Sequence, residues 1–146
     1  MSETGQYWLK GCTCFRLRRT ARRMTLIYDQ YLAPSGLTLT QYSLLANLVR
    51  RDPPSVHDLA EVMGMDRTTV TRNLKPLLAR GLLDLARGED RRSKLVAVTE
   101  DGQRTWDTAR ALWRAAQDDI NRRLGDVETA ELHRLLDQSF DKLAED

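Results

Sequence analysis

Residues 67–75, RTTVTRNLK, set Arg67, Thr68, Thr69, Thr71, Arg72 and Lys75 close together and include no acid. Hydroxyl and cationic groups donate to phosphate oxygens and base edges without repelling a polyanion, so the chemistry that this pattern suits is contact with DNA. A helix advances about 100° per residue, which places Thr68, Thr71, Arg72 and Lys75 largely opposite the apolar stripe Val70, Leu74, Leu77 and Leu78. A helix face that is merely solvated would more often mix in Glu. A second charged group follows in RGEDRRSK, with Arg87, Asp90, Arg91, Arg92 and Lys94 around a glycine. Arginines at a hairpin tip can reach the DNA backbone or enter a narrow, strongly negative minor groove. Asp90 is placed to hold one of those guanidinium groups by a bidentate contact.

Other chemistry has less to work with. His57 and His133 stand far apart in the chain, and there is no Gly-rich phosphate loop or nucleophile motif, so an enzyme is not expected. Cys12-Thr13-Cys14 does not have the spacing of a structural zinc site, so neither a metal nor a cofactor is expected. Two residues apart on a helix, these thiols point to different sides and cannot staple a fold. Cys14 lies on the apolar seam Cys14, Leu17, Ala21, Met24, Tyr28 and Tyr31, where a thiol reads as a small buried hydrophobe. Its place near a helix start and beside Arg16, Arg18 and Arg19 is also one that favours thiolate.

The elements that must position these residues can be read in order. The seam of three and four spacings predicts a long first helix ending near Pro34-Ser35-Gly36. Thr40 is placed as the cap of a second helix carrying Tyr42, Leu45, Leu48 and Val49, stopped by Pro53-Pro54. Ser55 caps a short third helix that Gly64 ends, and Asp66 caps the helix bearing the cationic face. Helix, tight turn, helix is the outcome, with a kink expected at Pro76. LLDLA (82–86) and KLVAV (94–98) then read as a hairpin directly after the helix pair, which makes it a wing. Thr99 caps a helix with Trp106, Ala109, Trp113, Ala116 and Ile120 in its seam. After Gly125-Asp126, a last helix carries Leu132, Leu135, Leu136, Phe140 and Leu143. That is more apolar surface than a terminal helix of a small lobe can bury alone, and it implies a partner chain.

Length and charge agree with this outline. A chain of 146 residues, 41% hydrophobic and 30% charged, suits one globular domain with a real core and no membrane span. MSETGQYWLK lacks the features of a secretory signal, so a cytoplasmic location is expected. The net charge is only +2, but the distribution is uneven. Residues 66–94 hold eight Lys/Arg against four Asp/Glu, whereas residues 100–146 hold seven against twelve.

Three segments, GLTLTQYSLL, SVHDLAEVMGMDRTTVTRNLKPLLARGLL and RGEDRRSKLVAVTEDG, together resemble the MarR family of winged-helix transcription regulators over nearly the whole chain. The resemblance implies a mainly α fold with a small β-hairpin wing. One MarR-type domain would span 1–146, with a winged helix-turn-helix lobe over 37–99 and dimerisation helices over 12–33 and 100–146. It implies a homodimer on a pseudo-palindromic double-stranded operator, and a small-molecule or redox-sensing cleft between the two regions. Asp90 and Arg92 occupy the family's wing motif, and Arg67 to Lys75 its recognition helix. The DNA-contact set so expected is Ser55, Arg67, Thr68, Thr69, Thr71, Arg72, Lys75, Arg87, Asp90, Arg91, Arg92 and Lys94. CTCFRLRR is similar to the peroxide-sensing OhrR branch, with Cys14 at the reactive position and Tyr28 at one of the tyrosines that contact it; Leu39 and Arg18 replace two others. The expected function is that of a repressor released by a small aromatic or phenolic ligand, with Cys14, Tyr28 and Tyr42 as effector or redox candidates. Two alternatives stand beside it: a hydroperoxide sensor using Cys14, and a winged-helix interaction module without DNA binding, whose mark would be acids on the recognition face.

Overall fold

Among the described residues, five of the six α-helices begin where a side chain accepts an orphan backbone N–H, and the last, after Gly125, begins without such a cap. The computed structural model describes residues 11–49, 52–87 and 94–144. Helix α1 (Thr13–Leu32) is capped by Cys12, whose Sγ accepts from Phe15 N at 3.4 Å. A short 3-10 turn, Ala33–Ser35, carries Pro34 and ends the α1 direction. Helix α2 (Leu39–Leu48) is capped by Thr38, which corrects the expectation of Thr40. The reason is reciprocity: Thr38 Oγ1 accepts from Gln41 N while Gln41 Oε1 accepts from Thr38 N, a capping box that Thr40 could not form.

Helix α3 (Val56–Met63) and helix α4 (Arg67–Ala79) start at Ser55 and Asp66 as expected. Gly64 stands between them at φ 62°, with Gly64 N donating to Glu61 O and Met65 N to Ala60 O. That pair of bonds needs the left-handed conformation, which glycine adopts without strain. A side chain at Gly64 would also crowd the ring of Phe140, whose Cε2 would lie 3.2 Å from the added Cβ. Pro76 lies inside α4, which runs on through it to Ala79. Pro76 and Arg72 are both exposed, so water can serve the Arg72 carbonyl that Pro76 leaves without a donor.

Strands β1 (Leu83–Arg87) and β2 (Lys94–Val98) pair antiparallel with Leu83 opposite Val98 and Arg87 opposite Lys94. The first strand begins one residue later than the sequence suggests, because Leu82 N still donates to Leu77 O in the closing turn of α4. Pro54 and Ser55 also join β2, through the Ser55–Leu95 bridge and a 2.9 Å bond from Val96 N to Pro54 O. No periodic signal marks this pairing. Helix α5 (Glu100–Leu124) follows its Thr99 cap, and α6 (Asp126–Lys142) turns back after Gly125.

The core lies where α2, α4 and β2 meet the first half of α5, around Leu32, Leu44, Leu45, Val70, Leu77 and Val96. Tyr42 is buried there, its ring stacked against Trp113 (centroids 5.8 Å apart) and Trp106 (6.2 Å). The outer parts of the long helices are different. Cys14, Leu17 and Ala21 are exposed at the start of α1, which corrects the reading of Cys14 as a buried hydrophobe within one chain. Val127, Leu135, Leu136, Phe140 and Leu143 are exposed in or at the end of α6. The seam predicted from spacing is therefore only half filled by this chain: Met24, Tyr28 and Tyr31 pack inward and the rest does not.

Candidate nucleic-acid interface

The first turn of α4 is built by Asp66. Its Oδ1 accepts from Thr69 N at 2.7 Å, and its Oδ2 accepts from the Thr69 hydroxyl at 3.0 Å. These two donors from Thr69 hold the Asp66 carboxyl below the usual carboxylate range, so it stays ionised at the positive end of the helix. Thr69 is half-buried and its hydroxyl proton is committed to this cap. Of the contact residues expected on α4 it alone is not exposed, a placement that spacing alone did not reveal.

Arg67, Thr68, Thr71, Arg72 and Lys75 are all exposed. Arg67, Thr71 and Lys75 recur at intervals of four and share one line along α4, and they border a groove of about 570 Å³. Ser55 and His57 from the start of α3 form its second wall, and Lys94 and Leu85 at the base of the wing the third. The Ser55–Leu95 bridge is what brings the α3 cap to the wing. The result is a continuous surface of hydroxyl and cationic groups across three elements, with the apolar Leu74 and Leu78 as its floor.

The wing tip, with Asp90, Arg91 and Arg92, lies outside the described residues. Arg87 is placed by its backbone pairing with Lys94. His57 has acidic neighbours on its own helix. Its Nε2 lies 3.4 Å from Glu61 Oε1, and donor atoms of His57, Asp58 and Glu61 all come within 4.8 Å of one another on the exposed side of α3. His133 is exposed on α6.

Two of the effector candidates, Cys14 and Tyr28, do not meet within one chain, whereas Tyr28 packs against the core cluster that holds Tyr42. Cys14 and Tyr28 are fourteen residues apart on the unbroken α1, about 21 Å along its axis, so they cannot touch within one chain. Tyr28 donates to Gln117 Oε1 on α5, and Gln117 Nε2 donates to Asn121 Oδ1. Burial raises the Tyr28 and Tyr42 hydroxyls above the ordinary phenol value, and both stay protonated.

A helix pair with a tight turn, an exposed acid-free second helix and an adjoining hairpin define a winged helix-turn-helix protein. Residues 35–93 match the model of the MarR family. A solved structure of the Mycobacterium tuberculosis transcriptional regulator MosR in complex with DNA shares 32% identity, covers 91% of this chain and 99% of its own, and superposes with a TM-score of 0.78. Bordetella bronchiseptica BpsR, whose DNA binding is regulated by 6-hydroxynicotinic acid, shares 26% identity over 94% of this chain and 99% of its own, with a TM-score of 0.81. The organic hydroperoxide resistance transcriptional regulator of Bacillus subtilis is 35% identical over 95 residues, which span 64% of this chain and 65% of that relative. The chain belongs to the MarR family.

Among the described residues, no helix is long and apolar enough to cross a membrane.

Proposed function

We propose that the protein is a cytoplasmic, sequence-specific DNA-binding transcription regulator that acts as a homodimer, a repressor released by a small aromatic ligand. The observation that carries this reading is the exposed face of Arg67, Thr68, Thr71, Arg72 and Lys75, which holds five donors and no acid on a helix anchored at both ends. An interaction module that had lost DNA binding would have no reason to keep that face free of carboxylates. In a symmetric dimer, two copies of α4 would enter major grooves about 34–36 Å apart, and the wings would reach the flanking minor grooves. Lys75, Lys94 and the wing arginines would neutralise phosphates, while Arg72 and Thr68, one turn apart on α4, would face base edges.

Release by a ligand requires only that the ligand bind the DNA-incompetent arrangement more tightly, by a coupling of about 1–3 kcal/mol. The place for such a ligand would be the junction of α1, α2 and α5 around Tyr28, Tyr42 and Trp113, where a planar guest would part the buried Tyr42–Trp113 stack and take its place against the aromatic rings. The test is selection of duplexes from a random-sequence pool by the purified protein, followed by affinity measurements across salt concentrations and a release panel of phenolic acids. A steep salt dependence with one preferred pseudo-palindrome is expected. Equal affinity for every duplex, or a flat salt dependence, would refute the DNA-binding reading.

A second reading, hydroperoxide sensing, is favoured by the exposure of Cys14 and by the likeness to the Bacillus subtilis hydroperoxide resistance regulator. Exposure is what oxidation of a thiol needs first. Because Tyr28 is out of reach along α1, it could assist Cys14 only from a partner chain.

A further inference from the structure

The C-terminal end of α4 is held from two sides, and each holder adjoins one end of a long helix that the DNA-binding reading assigns to dimerisation. On one side, Arg80, the residue that closes α4, donates from Nη1 to the carbonyl of Gly36 at 2.8 Å. Gly36 follows directly on the turn that ends α1, and that turn is braced internally. Gly36 N donates to Ala33 O, the Ser35 hydroxyl donates to Leu32 O, and Leu37 N donates to Ser35 Oγ. The acceptor offered to Arg80 is therefore rigidly attached to α1. On the other side, the Thr99 hydroxyl donates to Gly81 O and Thr99 N donates to Leu82 O, so the cap of α5 grips the two residues after Arg80. Gly102 in the first turn of α5 lies so close to Leu82 that a Cβ there would overlap the Leu82 carbonyl.

We propose that Arg80 is a positioning residue that fixes the tilt of α4 against α1, and through it the separation of the two half-sites that a dimer accepts. This rests on the DNA-binding reading above. Helix α4 is thirteen residues long, about 20 Å, so a tilt of about 5° at the Arg80 end moves its DNA-facing start by nearly 2 Å. A planar guanidinium suits the task because its donors leave in fixed directions, whereas an ammonium would follow the carbonyl around. Arg80 is exposed and, among the described residues, has no carboxylate partner, so its bond sets direction far more than it sets stability. The same exposure at the end of a recognition helix would also allow a plain phosphate contact, and the two roles differ in what they do to spacing.

The experiment uses the full-length protein and a duplex that the wild type selects from a random pool, together with versions carrying one base pair inserted or removed between half-sites. Each change rotates one half-site by about 36° and moves it about 3.4 Å. For wild type, both changes should weaken binding strongly. Arg80→Ala should bind the selected duplex about threefold to tenfold more weakly, the loss expected of one hydrogen bond. Its penalty for a changed spacing should shrink at least about threefold, its salt slope should stay that of wild type, and its melting temperature should move little. Arg80→Lys, which keeps charge and one donor, should fall between; should Arg80→Ala not fold, Arg80→Lys and Arg80→Gln give the same ranking of spacing penalties. A uniform loss on all three duplexes with a shallower salt slope would show a phosphate contact and overturn the proposal, as would variants indistinguishable from wild type. A wild type that selects no duplex would instead overturn the DNA-binding reading on which the proposal rests.

Discussion

The phenol of Tyr31 on α1 donates to the carboxylate of Asp119 on α5 at 3.0 Å, across 88 positions of sequence. Arg123 makes two further bonds to the same carboxylate and Arg122 one, so an almost fully buried acid is satisfied by three neighbours at the junction of the two long helices. The Arg123 bonds and then the Tyr31 bond hold Asp119 below the usual carboxylate range, while Tyr31 is pushed above the ordinary phenol value. For a depressed acid, the stabilisation is present above its unfolded value, about 3.9, and is lost as pH falls through the folded one. Asp119→Asn should therefore melt at a lower temperature than wild type at pH 7, and the gap should close as pH drops below about 4. Melting curves across acid pH check this, and a gap independent of pH would mean that the carboxylate charge is immaterial.

Arg72 and Lys75 should separate reading from holding. Arg72→Ala is expected to flatten base preference at one position of each half-site, with a loss of about tenfold or more on the preferred duplex. Lys75→Ala is expected to weaken all duplexes alike and to reduce the salt slope by about one. Binding titrations at several salt concentrations distinguish them.

In the wing, Arg92→Ala should weaken operator binding by about tenfold or more if its guanidinium enters a minor groove. Asp90→Ala should resemble it, since an acid that orients an arginine helps binding although its own charge opposes it. Tighter binding after removal of Asp90 would show that it only repels phosphate.

The outer apolar surface should be covered by a second copy of the chain. Phe140 is 66% exposed and Leu143 and Val127 are each 78% exposed, too much large apolar surface in and at the end of one helix for a lone chain. Deleting the chain from Val127 onward should leave a protein that aggregates or unfolds, followed by sedimentation and circular dichroism. A folded monomer that still bound a full palindrome would contradict dimerisation through these helices.

Cys14 offers the last prediction. If the exposed thiol is the sensor, stoichiometric hydroperoxide should release wild type from DNA, Cys14→Ser should stay bound, and Cys12→Ser should still respond in its first oxidation step. Equal release of wild type and Cys14→Ser, or release of neither, would remove the thiol from the mechanism and leave the ligand reading.

Much of the frame was legible from residues alone. The Ser55, Asp66 and Thr99 caps, the Gly64 and Gly125 breaks and the β2 strand fall where spacing places them, because capping and periodicity act between residues three or four apart. The exposed donors of α4 follow from the same local rule. Even there one hydroxyl misled, since Thr38 outcompetes Thr40 because Gln41 completes its box, and the bond of the Thr69 hydroxyl to Asp66 left no mark in the spacing.

What the tertiary structure decided is how these pieces are held relative to one another. The bridge from Ser55 to Leu95, the bond from Arg80 to Gly36 and the Tyr31–Asp119 pair join residues 40 to 88 positions apart. None leaves a periodic trace, since each depends on where two helices or a loop and a strand happen to cross. The same holds for Cys14. Its spacing puts it on an apolar seam, but whether a seam is buried depends on what packs over it, and among the described residues Cys14, Leu17 and Ala21 at that end of α1 stay exposed.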